Sequence, residues 1–256
     1  MSKKQKNISN SIQPVLTVLG LLAIWQLASS LALVPEFMLP SPIQVIQAFI
    51  SDFNLLMFHS KITLFEALLG LLSGVSLGVL TAIVMDRFTK VKKSIYPLLI
   101  LTQTVPTVAI APLLTIWFGY GILPKVVLIT ITIFFPVSVG MLNGFMSIDP
   151  DEINLLRSMG ASHKQIFWHI KLPASLGNFF ASLRIAVTYA VVGAVISEWL
   201  GGFEGLGVYM TRVRKSYHFD KMFAVIFLIS IISLLLMAVV NVLEKICMPW
   251  QKQENI

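Results

Sequence analysis

The chain has 256 residues, 56% of them hydrophobic and 12% charged, with a mean hydropathy of +0.84. Soluble domains carry about 25% charged residues, so this composition excludes a water-covered globule and fits an all-α integral membrane protein with a single domain over 1–256. The net charge of +7 comes from cations at the ends of apolar runs, a topological pattern and not a nucleic-acid footprint.

Lys3, Lys4 and Lys6 precede an apolar run that reaches Val34. That run exceeds the h-region of a cleaved signal peptide and predicts an uncleaved first span. A spanning helix needs about 20 mostly apolar residues. The apolar stretches predict a helix bundle of about six spans, at 14–34, 62–85, 96–118, 125–146, 177–200 and 222–243. Arginine and lysine set the orientation. With the N-terminus inside, 13 cations fall on the inner side and 6 on the outer, of 19 in all, so both termini are expected to be cytoplasmic.

In the second span Gly70, Gly74 and Gly78 recur every fourth residue, and Gly140 and Gly144 do so in the fourth. Such spacing makes a groove for close helix approach. The third span carries Pro97, Pro106 and Pro112. Broken helices persist in lipid where neighbours or a cavity satisfy the freed backbone groups, so this span either lines a pathway or kinks for packing. Thr102, Gln103, Thr104 and Thr107 flank Pro106. They are candidate pathway residues, with backbone repair by the threonine hydroxyls as the other reading.

Between spans four and five lies a polar segment, 147–176. Asp149, followed by Pro150 and then Glu152, predicts a capped helix start, and Ser162 with Gln165 predicts another. Gly160 stands between them, where a left-handed helix end is expected. Pro173 is expected to stop the second helix. Ile153, Leu156 and Met159 share one face of the first helix, and Ile166, Phe167 and Ile170 one face of the second. These faces pack on the bundle or dock in a groove of another protein.

Glu198, near the outer end of span five, is a candidate transport residue, with a structural partner such as Arg212 or Arg214 as the alternative. Glu66 in span two has the same two readings. Arg184 is expected to snorkel to the inner interface. The outer cluster 212–221 is a docking surface for an acidic patch, an attraction for anionic lipid or substrate, or a solvated loop. The histidines show no metal-ligand spacing, Cys247 has no cysteine to pair with, and the Asn7-Ile8-Ser9 sequon falls on the inner side. No cofactor site or catalytic constellation is visible.

Gly160, Ala161 and Ser162, followed by Ile170, Leu172 and Pro173, match G-x9-I-x-L-P. This spacing resembles the cytoplasmic loop of bacterial ABC-transporter permeases of the binding-protein-dependent importers. Asn154 stands where that motif has a glutamate, and Leu155 and Leu156 replace its alanines. "LPSP" at 39–42, "VPTVAIAPLLTIWFGYG" at 105–121, "VVGAVISEW" at 191–199 and "GLG" at 205–207 resemble the nitrate, sulfonate and taurine branch. The wording is closest to permeases for thiamine pyrimidine precursors or riboflavin.

The resemblance covers roughly 14–245. It implies a non-enzymatic permease subunit in the bacterial plasma membrane, with a separate ABC ATPase docked on the loop as a coupling helix. It also implies an extracytoplasmic substrate-binding protein and a second permease copy. The chain itself has no phosphate loop, since no glycine is followed by lysine. The substrate expected is a small organic solute such as a thiamine pyrimidine precursor, with sulfonate, taurine or nitrate anions as the alternative. A self-contained secondary transporter is the competing class; the intramembrane charge relays and inverted repeats common there are not visible.

Overall fold

The structure is a computed structural model that describes residues 3–31, 34–35 and 38–252. Residues 32–33 at the end of the expected first span lie outside the described residues, as do the side chains of Lys3, Lys4, Lys6 and the sequon. Among the described residues all regular structure is helical: α1 (Lys3–Ser30), α2 (Pro42–Ser51), α3 (Phe53–Arg87), α4 (Thr89–Thr104), α5 (Thr107–Phe118), α6 (Ile122–Met146), α7 (Pro150–Ser158), α8 (His163–Ile166), α9 (Leu172–Gly201), α10 (Leu206–Lys215) and α11 (Phe219–Cys247). Among the described residues, four continuous helical segments are long and apolar enough to cross a membrane: α3, α6, His163–Gly201 and α11. α4 and α5 form a fifth, broken span, and α1 is apolar over Leu16–Ser30.

The chain divides into two compact units, Met1–Phe58 with Tyr209–Leu228, and His59–Val208 with Ile229–Ile256. In the first, Trp25 packs on Phe223 and Phe227 at centroid distances of 5.7 and 5.8 Å, beside buried Val45, Ala48 and Ala224. The "LPSP" stretch is a helix start. Ser41 caps α2, Pro42 opens it, and Ser41 and Gln44 form a reciprocal capping box. Asp52, at the other end of α2, accepts from Tyr209 Oη (2.5 Å) and Lys221 Nζ (2.8 Å). Burial opposes ionisation of Asp52, but hydrogen bonds from Lys221, Tyr209 and Ser51 outweigh it and hold the carboxyl below its ordinary 3.8. The Asp52 carboxyl is therefore ionised at neutral pH.

The segment 206–215, expected to lie in an outer loop, is the helix α10. His218 N–H donates to Val213 O and Tyr217 N–H to Arg214 O, which closes α10 with a left-handed residue, Tyr217 at φ 60°. Arg212, Arg214 and Lys215 lie in its last turn, where cations offset the helix dipole.

In the second unit the glycine stripes bring helices together. A side chain at Gly74 or Gly78 would meet Ile133 or Val137 of α6 at 2.9 Å, and one at Gly70 would overlap Ile129. On another face of α6, Gly140 and Gly144 lie against Ser182 and Ser175 of α9. The result is a buried seam of Ala67, Ile129, Ile133, Val137, Ala186, Ala190 and Ala194. Small residues at such seams let backbones approach where lipid gives no hydrophobic drive.

Two expectations need correction. The third span is not one helix: α4 and α5 meet at 98°. Val105, before a proline, is extended (φ −88°, ψ 120°), and Pro106 is extended too (φ −61°, ψ 122°); the pre-proline residue is pushed out of the helical region. Pro97 and Pro112 stay inside their helices. Pro173 does not stop a helix. The chain runs on from His163 to Gly201 through a π-helical turn at Phe167–Lys171. There Leu172 N–H bonds Phe167 O, five residues back. Pro173 follows this turn directly, as the second residue of α9.

Candidate functional site

Breaking the third span frees backbone groups and opens space. Thr102 Oγ1 donates to Leu99 O (2.7 Å) and Thr104 Oγ1 to Leu101 O (2.8 Å), so both hydroxyls repair the backbone before the break. A cavity of about 270 Å³ lies at the break. Its polar lining comes from Thr102, Gln103, Thr107, Thr132 and Tyr189, with Pro106, Ile131, Val192 and Gly193 among the rest. No charged side chain lines it. The sequence candidates Thr102, Gln103 and Pro106 thus share one cavity; Thr132 and Tyr189, from α6 and α9, were not foreseen because no local pattern ties them to Pro106.

Glu198 is not in that cavity. It is 1% exposed and anchors the loop between α9 and α10. Its carboxylate accepts from Thr63 Oγ1 (2.7 Å) and from Gly207 N–H (2.5 Å). Leu206 N–H donates to Thr63 Oγ1 (2.9 Å), and Gly205 N–H to His59 Nδ1 (3.1 Å). The consecutive N–H groups of 205, 206 and 207 are thus taken by His59, Thr63 and Glu198. Gly205 has φ +120°, and a side chain there would overlap the Glu198 carboxylate. That explains why "SEW" and "GLG" occur together: the first supplies the acceptor, and the second lets backbone reach it.

Glu66, a buried carboxylate of α3, pairs with Lys125 at 2.5 Å, with side chains 5% and 7% exposed. Arg184 pairs with Glu244 of α11.

Removing the Glu198 acceptor leaves buried donors unpaired, at about 1–3 kcal/mol each. Glu198→Ala is therefore expected to lower the unfolding temperature of the solubilised protein by several degrees, and Glu198→Gln, which keeps one acceptor oxygen, by less. A thermal melt of the two variants checks this; an unshifted alanine variant would contradict the clamp.

The polar segment folds as its caps dictate. Asp149 accepts from Asp151 N–H (2.9 Å) at the start of α7. Ser162 and Gln165 form a reciprocal capping box at α8. Gly160 has φ +85°. Its N–H donates to Arg157 O and that of Ala161 to Leu156 O, closing α7 with paired reverse bonds. Glu152 and Asn154 are exposed on α7. Ile170 lies in the π turn, and Leu172 and Pro173 open α9. A groove of about 350 Å³ runs inside the elbow, between Leu156, Met159, Ile166 and Ile170. Leu155 on α7 is 63% exposed, and Met159, the residue that caps its end, 74%. The elbow carries more apolar surface than a water-facing loop needs.

The model of the family described as "binding-protein-dependent transport system inner membrane component" matches residues 74–250. The chain belongs to this family. The permease is 36% identical to the formylaminopyrimidine transport permease protein ThiX of Halalkalibacterium halodurans, over 97% of this chain and 100% of that one. It is 30% identical to the taurine transport system permease protein TauC of Escherichia coli, over 91% of this chain and 88% of that one. A chain of the MetNI methionine ABC transporter shares the fold, with a TM-score of 0.67 at 18% identity, over 77% of this chain and 98% of that one. The all-α polytopic bundle and the expected permease branch both hold. The protein is a membrane transport subunit of an ABC importer, and that membership implies an ATPase partner.

Proposed function

We propose that the permease carries a small, uncharged organic solute such as a thiamine pyrimidine precursor, through a pathway that includes the α4–α5 break. The uncharged polar lining of that cavity carries the reading. An anion in a low-dielectric site needs a cation or several donors beside it. A formylated aminopyrimidine instead needs neutral donors and acceptors, which Gln103, Thr107, Thr132 and Tyr189 offer. The resemblance to a formylaminopyrimidine permease supports the same choice over taurine or other sulfonates.

The rest of the assembly belongs to this proposal. Both termini are cytoplasmic, as the distribution of 13 against 6 cations supports. ATP is hydrolysed by the partner chain, which docks on the elbow of α7 and α8. An extracytoplasmic binding protein delivers the solute. A second copy of this chain closes the pathway. Gln103 and Val105 are exposed beside the break, and Val108, Ile116 and Trp117 are 52%, 77% and 68% exposed on α5, so this face has area for a partner helix. Glu198 acts at the outer end by holding the 205–207 loop.

Uptake by cells expressing the complete transporter tests the solute class. Labelled formylaminopyrimidine is expected to accumulate, unaffected by excess taurine, and Gln103→Leu is expected to slow uptake several-fold with membrane content unchanged. Taurine accumulation without pyrimidine uptake would reverse the assignment.

A further inference from the structure

The elbow has two faces of different chemistry. Leu155 and Met159 are exposed and apolar, and Leu155 stands two residues from both Ile153 and Arg157, which line the other side, a spacing that does not share a helical face. The opposite face closes a cavity of about 500 Å³ against the end of α3, lined by Asp86, Arg87, Arg157, His163, Lys164 and Lys171, with Ile83, Ile153 and Phe167 among its apolar walls. Lys171 is occupied, since both oxygens of Asp86 accept from it at 2.6 and 2.8 Å. Arg87, Arg157 and Lys164 make no ion pair among the described residues. Three cations without an ion pair thus face one cavity, at the end of α3.

The outer surface of α3 continues the site. Leu80 and Val84 are 59% and 41% exposed, and their spacing of four puts them on one stripe of α3, beside Ile83 and Arg87; Phe88, 55% exposed, is the extended residue that follows α3. A cationic cavity at the end of an exposed apolar stripe fits an amphiphile with an anionic head. Basic pockets between membrane helices hold anionic headgroups for this reason. A free phosphate would use the cavity but not the stripe. An acidic segment of the ATPase would likewise use the cavity but not the stripe.

We propose that this cavity binds the headgroup of an anionic phospholipid, with an acyl chain along Leu80, Val84 and Phe88. The lipid neutralises Arg87, Arg157 and Lys164 and braces the elbow from the side opposite Leu155 and Met159. The occupant is independent of the transported solute.

Native mass spectrometry of the intact assembly tests the site, with phosphatidylglycerol, phosphatidylcholine and inorganic phosphate as probes. Retained phosphatidylglycerol is expected, with phosphatidylcholine not retained and phosphate unable to displace it. Arg87→Gln, Arg157→Gln and Lys164→Gln are each expected to weaken retention about five-fold, and Lys245→Gln, at the end of α11, to leave it unchanged. A melt of the unmutated assembly gives a second reading: phosphatidylglycerol raises the unfolding temperature above that in phosphatidylcholine. Equal retention by the triple variant, which carries all three of these substitutions, equal retention of both lipids, displacement by phosphate, or an unshifted melt would overturn the proposal. Loss of the ATPase subunit from the triple variant while lipid stays bound would overturn it too, and assign the cations to the protein partner.

Discussion

Gly144→Leu is expected to abolish recovery of folded permease. A first side-chain carbon at this position would lie 2.7 Å from the Cβ and 2.8 Å from the Cα of Ser175. The obstacle is the backbone of α9, which cannot rotate aside as a flexible side chain can. The helices would have to separate, and the seam built on Ile133, Val137, Ala186 and Ala190 would open with them. Overpacking a core costs about 1–3 kcal/mol where neighbours can relax, and here they relax least. Even Gly144→Ala is expected to lower the unfolding temperature. Gly20 supplies the control, since a side chain there meets nothing within 4 Å, and alanine is the better helix former. Size-exclusion profiles and melts of the purified variants decide the matter. Monodisperse Gly144→Leu protein with an unchanged melt would show that α6 and α9 do not pack as described.

Gly160→Val is expected to leave the protein in the membrane while transport is lost. No atom lies within 4 Å of a side chain added here, so the effect comes from the backbone alone. At φ +85° a residue with a side chain loses roughly 1–2 kcal/mol, and a branched one fares worst. That amounts to about ten-fold in the population of the closed elbow. The turn bonds from Gly160 and Ala161 would be lost, and α8 would leave α7 in another direction. Gly160→Asn, which tolerates the left-handed region, is expected to keep most activity. Co-purification of the ATPase, normalised to membrane content, separates the two outcomes. Full binding and transport by Gly160→Val would reduce the elbow to a connecting loop.

What could be read from the sequence was local. Asp149, Gly160 and Ser162 act within four residues of themselves, and each appears in the structure as its spacing predicts. The glycine stripes were equally legible, because period four on a helix defines a face whatever it meets. The start of α2 carried the same signal as α8, a serine followed three residues later by glutamine at Ser41 and Gln44, yet it was hidden between two apolar spans. The continuation of the helix through Pro173 was not legible, because a π turn depends on hydrogen bonds that no residue type announces. The Glu198 clamp joins positions 135 residues apart through Thr63, and Glu66 finds Lys125 at a separation of 59. A single sequence contains the partners of such contacts without showing which ones meet.

The central claim is that this chain opens a path whose energy comes from ATP hydrolysed by another subunit and delivered through the elbow. Uptake into proteoliposomes containing the permease, the ATPase and the proposed binding protein tests this most directly. Formylaminopyrimidine is predicted to enter only with ATP, at a rate unaffected by ionophores that collapse proton and sodium gradients. Uptake that persists without ATP and stops when those gradients are collapsed would contradict the account.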